Sequence, residues 1–234
     1  SSKDQLVVAT NAAFEPFEYT KGDSYYGIDM EIAKLLADEL GKELVIENMD
    51  FDAVCLSVSQ QKCDIAMAGL TINEEREKYV TFTDSYYSAS QRLIVPSNDT
   101  AFDDCKSADD VAAKLAELKE SDKIGVQQGT TGHLYCADDF GEENVIPYAN
   151  GATAVQALLQ GKVDCVVIDQ EPAKAFVEAN EGLKILDTAY TTEDYAAAVS
   201  KDNPALTAAL NKALQELKDD GTIQGILDKY IKAE

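Results

Sequence analysis

The strongest constraint on the fold is a strand–helix–strand–helix–strand order near the start of the chain. Short apolar runs predict the strands, and between them apolar residues recur at helical spacing. The predicted strands are residues 5–10, 44–47 and 64–68, with helices over 29–40 and 52–61 between them. This alternation is typical of a mostly parallel sheet with helices on both faces, so we predict an α/β fold.

The first of these helices carries signals at both ends. Asp29 is a residue type that caps helix N-termini, and Gly41 can adopt the left-handed conformation that ends a helix. The apolar stripe between them consists of Ile32, Leu35, Leu36 and Leu40. We therefore expect Asp29 to be the N-cap and the helix to end at Gly41.

The same order of elements returns in the second half of the chain. Here strands are predicted at residues 123–128, 145–148 and 164–168, and helices at residues 131–140 and 152–160. A local echo supports the repeat, because residues 61–66 and 161–166 match in pattern and each segment follows an apolar-periodic helix. Two similar α/β lobes account for this repetition.

Two extended stretches indicate where the lobes join. They are residues 86–95, which stop at Pro96, and residues 195–199. Pro204 then suits the first turn of a helix, and a leucine stripe continues to Gly221. Two crossings predict a discontinuous first lobe, 1–88 plus 195–234, and a second lobe, 89–194. They also predict a two-strand hinge and a cleft that opens and closes.

Charge and hydropathy exclude several classes of function. The chain has 43 Asp and Glu against 20 Lys and Arg, a net charge of -23. Such an excess of carboxylates repels phosphate backbones and anionic membranes, so we expect no nucleic-acid partner. No apolar run of about 18 residues occurs, and the first residues lack the apolar stretch of a signal peptide. We expect any export signal to have been removed.

The cysteines indicate neither a metal site nor a definite disulfide. There are five, and no two have zinc-ligand spacing. Cys55, Cys63 and Cys165 lie in apolar stretches and are expected to be small buried hydrophobes. Cys105 and Cys136 have more polar surroundings, and the sequence leaves open whether they are bridged. We expect neither a metal ion nor a cofactor.

The residues after the strands of the first lobe are candidates for ligand binding, because ligands of open α/β sheets bind beyond the carboxyl ends of the strands. Residues 11–14 follow the first strand and residues 68–71 follow the third. Gly69 lets backbone N–H groups approach a ligand, and Asn73 can cap the next short helix. Arg76 lies in the first turn of that helix, where a cation opposes the dipole. This placement indicates a bound carboxylate, although a solvated surface charge is the alternative.

The second lobe offers complementary groups. Residues 127–132 follow a strand, start a helix and supply hydroxyl and backbone donors. Asp169 ends another apolar strand, where it either caps the following helix or binds an ammonium group. Arg76 and Asp169 together match a zwitterion, which predicts the main chain of a free amino acid as the ligand.

Several segments, taken in order, resemble the polar amino-acid solute-binding proteins of ABC importers, the extracellular solute-binding proteins of family 3. The segments are residues 13–19, 27–31, 67–76, 125–131, 163–169 and 217–223. The resemblance implies a two-lobed type II periplasmic binding fold, each lobe a mostly parallel sheet flanked by helices, with a hinge that closes. It also implies delivery to a membrane permease by a lipoprotein or a free periplasmic protein, which we expect to be a monomer.

The resemblance assigns roles to individual residues. It implies that Arg76 binds the α-carboxylate beside Thr71, Thr130 and Thr131, and that Asp169 and the backbone near Gly69 hold the α-ammonium. Phe14 and Phe51 match the aromatic positions around the ligand side chain, where core packing is the alternative. The expected ligand-binding set is Asn11, Phe14, Glu18, Phe51, Ala68, Gly69, Leu70, Thr71, Arg76, Gln127, Thr130, Thr131 and Asp169.

The ligand side chain is read from departures within the resemblance. Asn11 stands where the glutamine and histidine binders have Asp, and Gln127 replaces a lysine of the glutamine binders. Paired aromatic faces suit a guanidinium. These features favour a basic amino acid, arginine or lysine, with glutamine or cystine as alternatives.

Two other functional classes share this fold. Some relatives are dehydratase-like enzymes, in which Glu15 or Glu18 would be the general acid or base. The pairing of Arg76 with Asp169 suits retention better than turnover, so we predict a binding protein without catalytic residues. A receptor's ligand-binding half would share the lobes, but this chain has no appended membrane span or signalling domain.

Overall fold

The computed structural model describes residues 4–118 and 123–231, and its elements alternate as the sequence predicts. The residues considered for an export signal lie almost entirely outside these ranges. The strands are β1 (Gln5–Thr10), β2 (Ala13–Phe14), β3 (Glu18–Lys21), β4 (Ser24–Tyr26), β5 (Glu43–Asn48), β6 (Ile65–Ala66), β7 (Val80–Phe82), β8 (Tyr87–Pro96), β9 (Ile124–Gln127), β10 (Val145–Tyr148), β11 (Cys165–Asp169), β12 (Leu183–Ile185), β13 (Thr191–Tyr195) and β14 (Ala198–Ser200). The helices are α1 (Ile28–Glu39), α2 (Phe51–Ser59), α3 (Glu74–Glu77), α4 (Ala108–Ala116), α5 (Thr131–Phe140), α6 (Gly151–Leu159), α7 (Gln170–Ala179), α8 (Pro204–Asp219) and α9 (Thr222–Tyr230), with a 3-10 turn at Glu142–Asn144.

The chain forms two compact units. The first comprises Ser1–Ser88 and Asp194–Glu234, and the second comprises Ala89–Glu193. Each unit has its own sheet and its own apolar core. Among the residues that the structure describes, no helix combines the length and the hydrophobicity needed to cross a bilayer.

The sheet of the first unit has the strand order β5-β1-β6-β14-β7. β1 lies between β5 and β6 and runs parallel to both, and its residues are buried from Leu6 onward. β14 runs antiparallel to β6 and β7. The predicted α/β fold is therefore confirmed, with a mixed sheet of two parallel and two antiparallel pairings. A small antiparallel sheet of β2, β3 and β4, absent from the sequence prediction, follows β1 in the chain.

The sheet of the second unit has the order β10-β9-β11-β8-β12, with β13 also paired to β8. β9 is parallel to β10 and β11, whereas β8 is antiparallel to β11 and β12. The predicted single strand over 195–199 is wrong. The chain there forms two strands, since β13 pairs in this sheet and β14 pairs in the other, with the buried Ala196 and Ala197 between them.

The expected N-cap of α1 is also wrong. Gly27 occupies the N-cap position, and Asp29 lies fully buried in the first turn of the helix. Gly27 has φ +120°, and a Cβ there would lie 2.3 Å from the Phe17 carbonyl oxygen, so only glycine fits. At the other end Gly41 has φ +64°, which confirms it as the left-handed stop. Pro204 is confirmed in the first turn of α8.

The cysteines are free thiols. Cys63 and Cys165 are buried as predicted, whereas Cys55 is only partly buried against the core of the first unit. Cys105 and Cys136, whose pairing the sequence leaves open, both pack with the core of the second unit. Burial raises the pKa of the Cys136 thiol well above its usual range, as expected of a thiol that acts as a small hydrophobe.

Candidate functional site

The loop after β6 is held against two other parts of the first unit. Gly69 has φ +53°, and its N–H donates a 2.8 Å hydrogen bond to Oδ2 of Asp29. A Cβ at this position would lie 3.0 Å from the Phe14 ring and 3.3 Å from the Tyr195 ring. The backbone of the loop therefore passes directly against these aromatic side chains, and a side chain at residue 69 would crowd them.

Arg76 is the functional candidate that this loop positions. Asn73 caps α3 by accepting from the Arg76 N–H at 2.8 Å, which confirms its predicted capping role. The Arg76 Nη1 donates to the Thr71 carbonyl oxygen at 2.8 Å, and Cζ lies 5.4 Å from the centre of the Phe51 ring. With 9% of its surface exposed, Arg76 is the only buried basic side chain in the described part of the chain.

These contacts fix the orientation of the buried Arg76 guanidinium. The solvated-surface alternative for Arg76 is wrong, since the side chain is buried, hydrogen-bonded and stacked on an aromatic ring. A guanidinium fixed at one end by a backbone carbonyl presents its other N–H groups in a planar fork. Such a fork binds carboxylates in a bidentate manner.

The two phenylalanines have different environments. Phe14 is buried, and the centre of its ring lies 6.1 Å from the centre of the Phe17 ring. Tyr87 and Tyr195 belong to the same group of rings. Phe51 is half-buried at the start of α2, where it packs against the core and faces the Arg76 guanidinium. Both rings belong to the first unit, and Phe51 already takes part in a cation–π contact.

The remaining candidates of the first unit serve mainly to hold its framework. Asn11 donates through Nδ2 to the Met49 carbonyl oxygen at 2.8 Å, joining the ends of β1 and β5. The side chains of Ala68 and Leu70 are packed in the core, so they offer a ligand only their backbone. Thr71 is buried, and its carbonyl oxygen holds Arg76.

Two buried carboxyl groups lie beneath this loop. Glu18 and Asp29 are both almost fully buried, whereas Glu15 is exposed. Burial raises the pKa of Asp29 to about 6, although the hydrogen bonds from the Gly69 N–H and the Tyr86 hydroxyl oppose that rise. Asp29 therefore takes up a proton at a higher pH than an exposed aspartate does.

In the second unit, the candidates at the start of α5 make local bonds. Thr130 is the N-cap, and its hydroxyl accepts from the His133 N–H and donates to the Gln127 carbonyl oxygen at 2.8 Å. Thr131 is buried and donates at 2.9 Å to Oε1 of Glu193. Gln127 is buried at the end of β9. The helix N-terminus thus carries two hydroxyl groups with defined directions.

Asp169 lies at the N-cap position of α7, but its side chain does not cap that helix. Instead Oδ2 accepts a 2.9 Å hydrogen bond from Nε2 of Gln91, and the carboxylate is buried. The capping alternative is therefore wrong. A buried carboxylate that is not used as a helix cap is a group suited to binding a cation.

Sequence reasoning missed the part that four residues play in holding these groups: Asp29, which was expected only as a helix cap, and Tyr86, Gln91 and Glu193. Tyr86 donates to Oδ1 of Asp29 at 2.8 Å, and Gln91 bridges Asp169 and Glu193. A signal for Glu193 was present, because alternate residues of a strand share a face and Glu193 is two residues from the buried Tyr195. The partners of Asp29 are 40 and 57 residues away, which no local pattern indicates.

Within residues 4–118 and 123–231, no cluster of three or more His, Cys, Asp or Glu side chains is placed to hold a metal ion. The first unit carries one buried guanidinium and a loop of backbone donors, and the second unit carries two hydroxyl groups at a helix N-terminus and the buried carboxyls of Asp169 and Glu193. A guanidinium can bind a carboxylate, and a carboxylate can bind an ammonium group, through charge-assisted hydrogen bonds.

Comparison with known proteins gives a consistent result. Residues 6–233 match the model of the family described as bacterial extracellular solute-binding proteins, family 3. The arginine-binding extracellular protein ArtP of Bacillus subtilis (strain 168) is 28% identical and is aligned over 100% of this chain and 89% of its own length. The L-cystine-binding protein TcyJ of Escherichia coli (strain K12) is 28% identical over 98% of this chain and 83% of its own length.

Solved structures resemble both the fold and the sequence. An ancestral arginine-binding protein bound to glutamine is similar with a TM-score of 0.87 and 34% identity, covering 100% of both chains. The ancestral amino acid-binding protein AncCDT-1, a precursor of cyclohexadienyl dehydratase, has a TM-score of 0.86 and 30% identity, covering 98% of this chain and 96% of its own. The two-lobed periplasmic-binding fold expected from the sequence is confirmed.

Proposed function

Because the chain belongs to the bacterial extracellular solute-binding proteins of family 3, we propose that it captures a free polar L-amino acid and delivers it to the permease of an ABC importer. The relatives named above for arginine and cystine binding support this class of ligand. The protein acts outside the cytoplasm as a monomer, either free in a periplasm or lipid-anchored on the outer face of the membrane.

The observation that carries the proposal is the buried guanidinium of Arg76. A buried guanidinium binds a carboxylate more strongly than an exposed one does, because the low local dielectric strengthens charge-assisted hydrogen bonds. Here the chain fixes one N–H of the fork on the Thr71 carbonyl oxygen and stacks the plane on Phe51. In the proposed complex Arg76 binds the α-carboxylate of the amino acid, and Thr71, Thr130 and Thr131 lie around the same group.

The α-ammonium is assigned to Asp169, with the backbone near Gly69. Asp169 is buried, ends β11 and is not used to cap α7, which leaves its carboxylate suited to a cationic partner. Arg76 then binds the anionic end of the amino acid, and Asp169 binds its cationic end.

The side chain of the ligand is proposed to be basic, arginine or lysine. Phe14 and Phe51 provide aromatic faces, which attract a guanidinium by about 0.5–2 kcal/mol. Glu18 adds a buried carboxyl group to the first unit, while Asn11 and Gln127 are neutral. Glutamine or cystine in the same role is the alternative, supported by the glutamine-bound ancestral structure and by the cystine-binding relative.

We propose binding without turnover. The similar precursor of cyclohexadienyl dehydratase is itself described as an amino acid-binding protein. Glu15, one of the two candidate general acids, is exposed, and Glu18 is buried beside Asp29.

The proposal is tested by thermal-shift measurements of the purified, ligand-stripped protein with each standard L-amino acid and L-cystine, followed by calorimetry. A ligand that binds only the folded state raises Tm in proportion to RT ln(1 + [L]/Kd), so the true ligand stands out from the others. L-Arginine or L-lysine is expected to give the largest shift. Mass spectrometry of the same mixtures is expected to show no product.

Analogues separate the parts of the proposal. Agmatine lacks the α-carboxylate that Arg76 is assigned to bind, so it is expected to bind far more weakly than L-arginine. L-Citrulline keeps the shape of L-arginine without its positive charge and tests the preference for a basic side chain. Shifts with glutamine or cystine alone would reverse the basic preference, and no shift with any amino acid would overturn the function.

A further inference from the structure

Glu193 is a buried carboxylate that the proposed ligand contacts do not use. It lies on β13 with 8% of its surface exposed. Oε1 accepts two hydrogen bonds of 2.9 Å, one from Nε2 of Gln91 and one from the hydroxyl of Thr131. Oε2 is buried and has no hydrogen-bond partner among residues 4–118 and 123–231. The second oxygen of this carboxylate therefore lacks a donor.

Gln91 links Glu193 to Asp169. The same Nε2 donates to Oδ2 of Asp169 and to Oε1 of Glu193, each at 2.9 Å, so these two oxygens lie within about 6 Å of each other. Gln91 is fully buried. Gly132 leaves room for its amide, since a Cβ there would lie 2.8 Å from Oε1 of Gln91. The positions of both carboxylates are therefore set by one amide.

A buried carboxylate oxygen without a donor costs free energy unless a partner arrives. A primary ammonium supplies three N–H donors and a positive charge. At separations of this size inside a protein, attraction between charges is much stronger than it is in water. A second carboxylate beside Asp169 therefore strengthens the binding of an ammonium group there.

We propose that Glu193 is a second carboxylate of the ammonium-binding end of the site. Gln91 and Thr131 hold it beside Asp169, and its charge raises affinity for the α-ammonium of the amino acid. The inference rests on the proposed amino-acid binding and adds a residue and its role. It does not depend on the ligand side chain, because every α-amino acid carries the same ammonium.

The test is the isosteric variant Glu193→Gln, with L-arginine and L-glutamine as the two probes. Removing the charge is expected to raise Kd about tenfold for whichever of the two binds the wild type, and equally for both when both bind. Because Oε2 has no hydrogen-bond donor among residues 4–118 and 123–231, Tm without ligand is expected to stay the same or rise. A scaffold role predicts the opposite, a lower Tm together with weaker binding.

The matched control is Glu171→Gln. Glu171 is a buried acid of the same unit, but its Oε1 already accepts from Nζ of Lys174 at 3.3 Å and from Nε2 of Gln170 at 2.9 Å. The control changes the protein's charge by the same amount, and Kd is expected to stay within about twofold of the wild type. An equal loss in both variants would show a general effect of charge and would overturn the role of Glu193.

The outcomes separate this inference from the proposed function. If the wild type binds neither these probes nor another amino acid, both fail together. If the wild type binds and Glu193→Gln binds equally well, only the role of Glu193 fails. A variant that loses stability along with affinity, or does not fold, also contradicts it, because a neutral isostere is predicted to be at least as stable.

Discussion

At the scale of single residues, the two charges proposed to bind the ligand are both buried. Arg76 and Asp169 were singled out in the sequence by their places after strands, and both are buried. Three contacts position Arg76: its backbone N–H donates to the Asn73 side chain, its Nη1 donates to the Thr71 carbonyl oxygen, and its guanidinium faces the Phe51 ring. Few of these contacts can be kept by another cation.

Arg76→Lys is therefore expected to weaken amino-acid binding even though it keeps the charge. An ammonium cannot replace a planar fork, and truncation to alanine costs about 2–5 kcal/mol because the ligand carboxylate is left unpaired. Arg76→Ala or Asp169→Ala is expected to abolish micromolar binding in calorimetry. Lys78→Ala is the control, since Lys78 is exposed and pairs with Glu75 near the same short helix. Unchanged affinity in Arg76→Ala would show that Arg76 does not bind the ligand carboxylate.

Gly69 gives a second prediction at this scale. Gly69→Ala places a side chain at φ +53° and 3.0 Å from the Phe14 ring, whereas Gly22→Ala has a similar φ of +61° and no atom within 4 Å. In both variants the strained backbone is expected to lower the free energy of unfolding by about 1–2 kcal/mol. Only in Gly69→Ala does the new Cβ crowd a ring, which is expected to lower it by roughly 1 kcal/mol more. Urea denaturation measures the difference, and equal losses would mean that the ring moves aside freely.

At the scale of secondary-structure elements, Asp29 connects three separate parts of the first unit. It lies in the first turn of α1, accepts from the Gly69 N–H after β6 and accepts from the Tyr86 hydroxyl just before β8. Glu18 on β3 faces the same carboxyl group. One side chain, that of Asp29, thus attaches the loop after β6 both to α1 and to the start of β8.

The raised pKa of Asp29 makes this connection depend on pH. The folded state holds the proton up to about pH 6, whereas the carboxyl in an unfolded chain loses it near 3.8. Folding therefore becomes less favourable as pH rises through this window, by about 3 kcal/mol in total. Relative to Asp29→Asn, the wild type is expected to gain stability as pH falls from about 6 to about 4.

Urea denaturation at a series of pH values measures this slope. Asp38→Asn on the same helix is the control, because Asp38 is exposed and paired with Lys34. The control is expected to keep the wild-type slope, whereas Asp29→Asn is expected to lose that part of it. Parallel curves for the wild type and Asp29→Asn would show that Asp29 does not titrate in this range.

At the scale of the whole molecule, the net charge of -23 belongs mainly to the surface. Of the 43 acidic residues, only Glu18, Asp29, Asp169, Glu171 and Glu193 are buried in the described ranges. The exposed majority creates a negative field around the protein. Such a field attracts cations over a distance that salt reduces to about 8 Å at physiological ionic strength.

Association with a cationic ligand is therefore expected to depend on salt. In stopped-flow measurements, the association rate constant for L-arginine is expected to fall several-fold as ionic strength rises from about 0.01 M to about 0.15 M. L-Citrulline has nearly the same shape and no net charge, so its rate constant is expected to change little. Equal salt dependence for the two ligands would show that the surface charge does not guide binding.

The secondary structure could be predicted well wherever the signals are local. The helix over 131–140 and the strand over 145–148 have the predicted bounds, and Asn73, Gly41 and Pro204 act at helix ends as expected. The errors occur where tertiary contacts compete with a local signal. Asp29 has the chemistry of a cap but is buried by long-range bonds, and residues 195–199 divide between two sheets.

The sequence by itself determined the α/β alternation, the repeated order of elements and the positions after the strands where the proposed binding residues lie. These features depend on the spacing of apolar residues and on turn chemistry, which are local properties of the chain. Only the tertiary structure decided which buried polar groups meet. Gln91 and Glu193 are 102 residues apart, yet they share a hydrogen bond because two strands pair. Long-range contact, rather than residue type, therefore gave Glu193 its place beside Asp169.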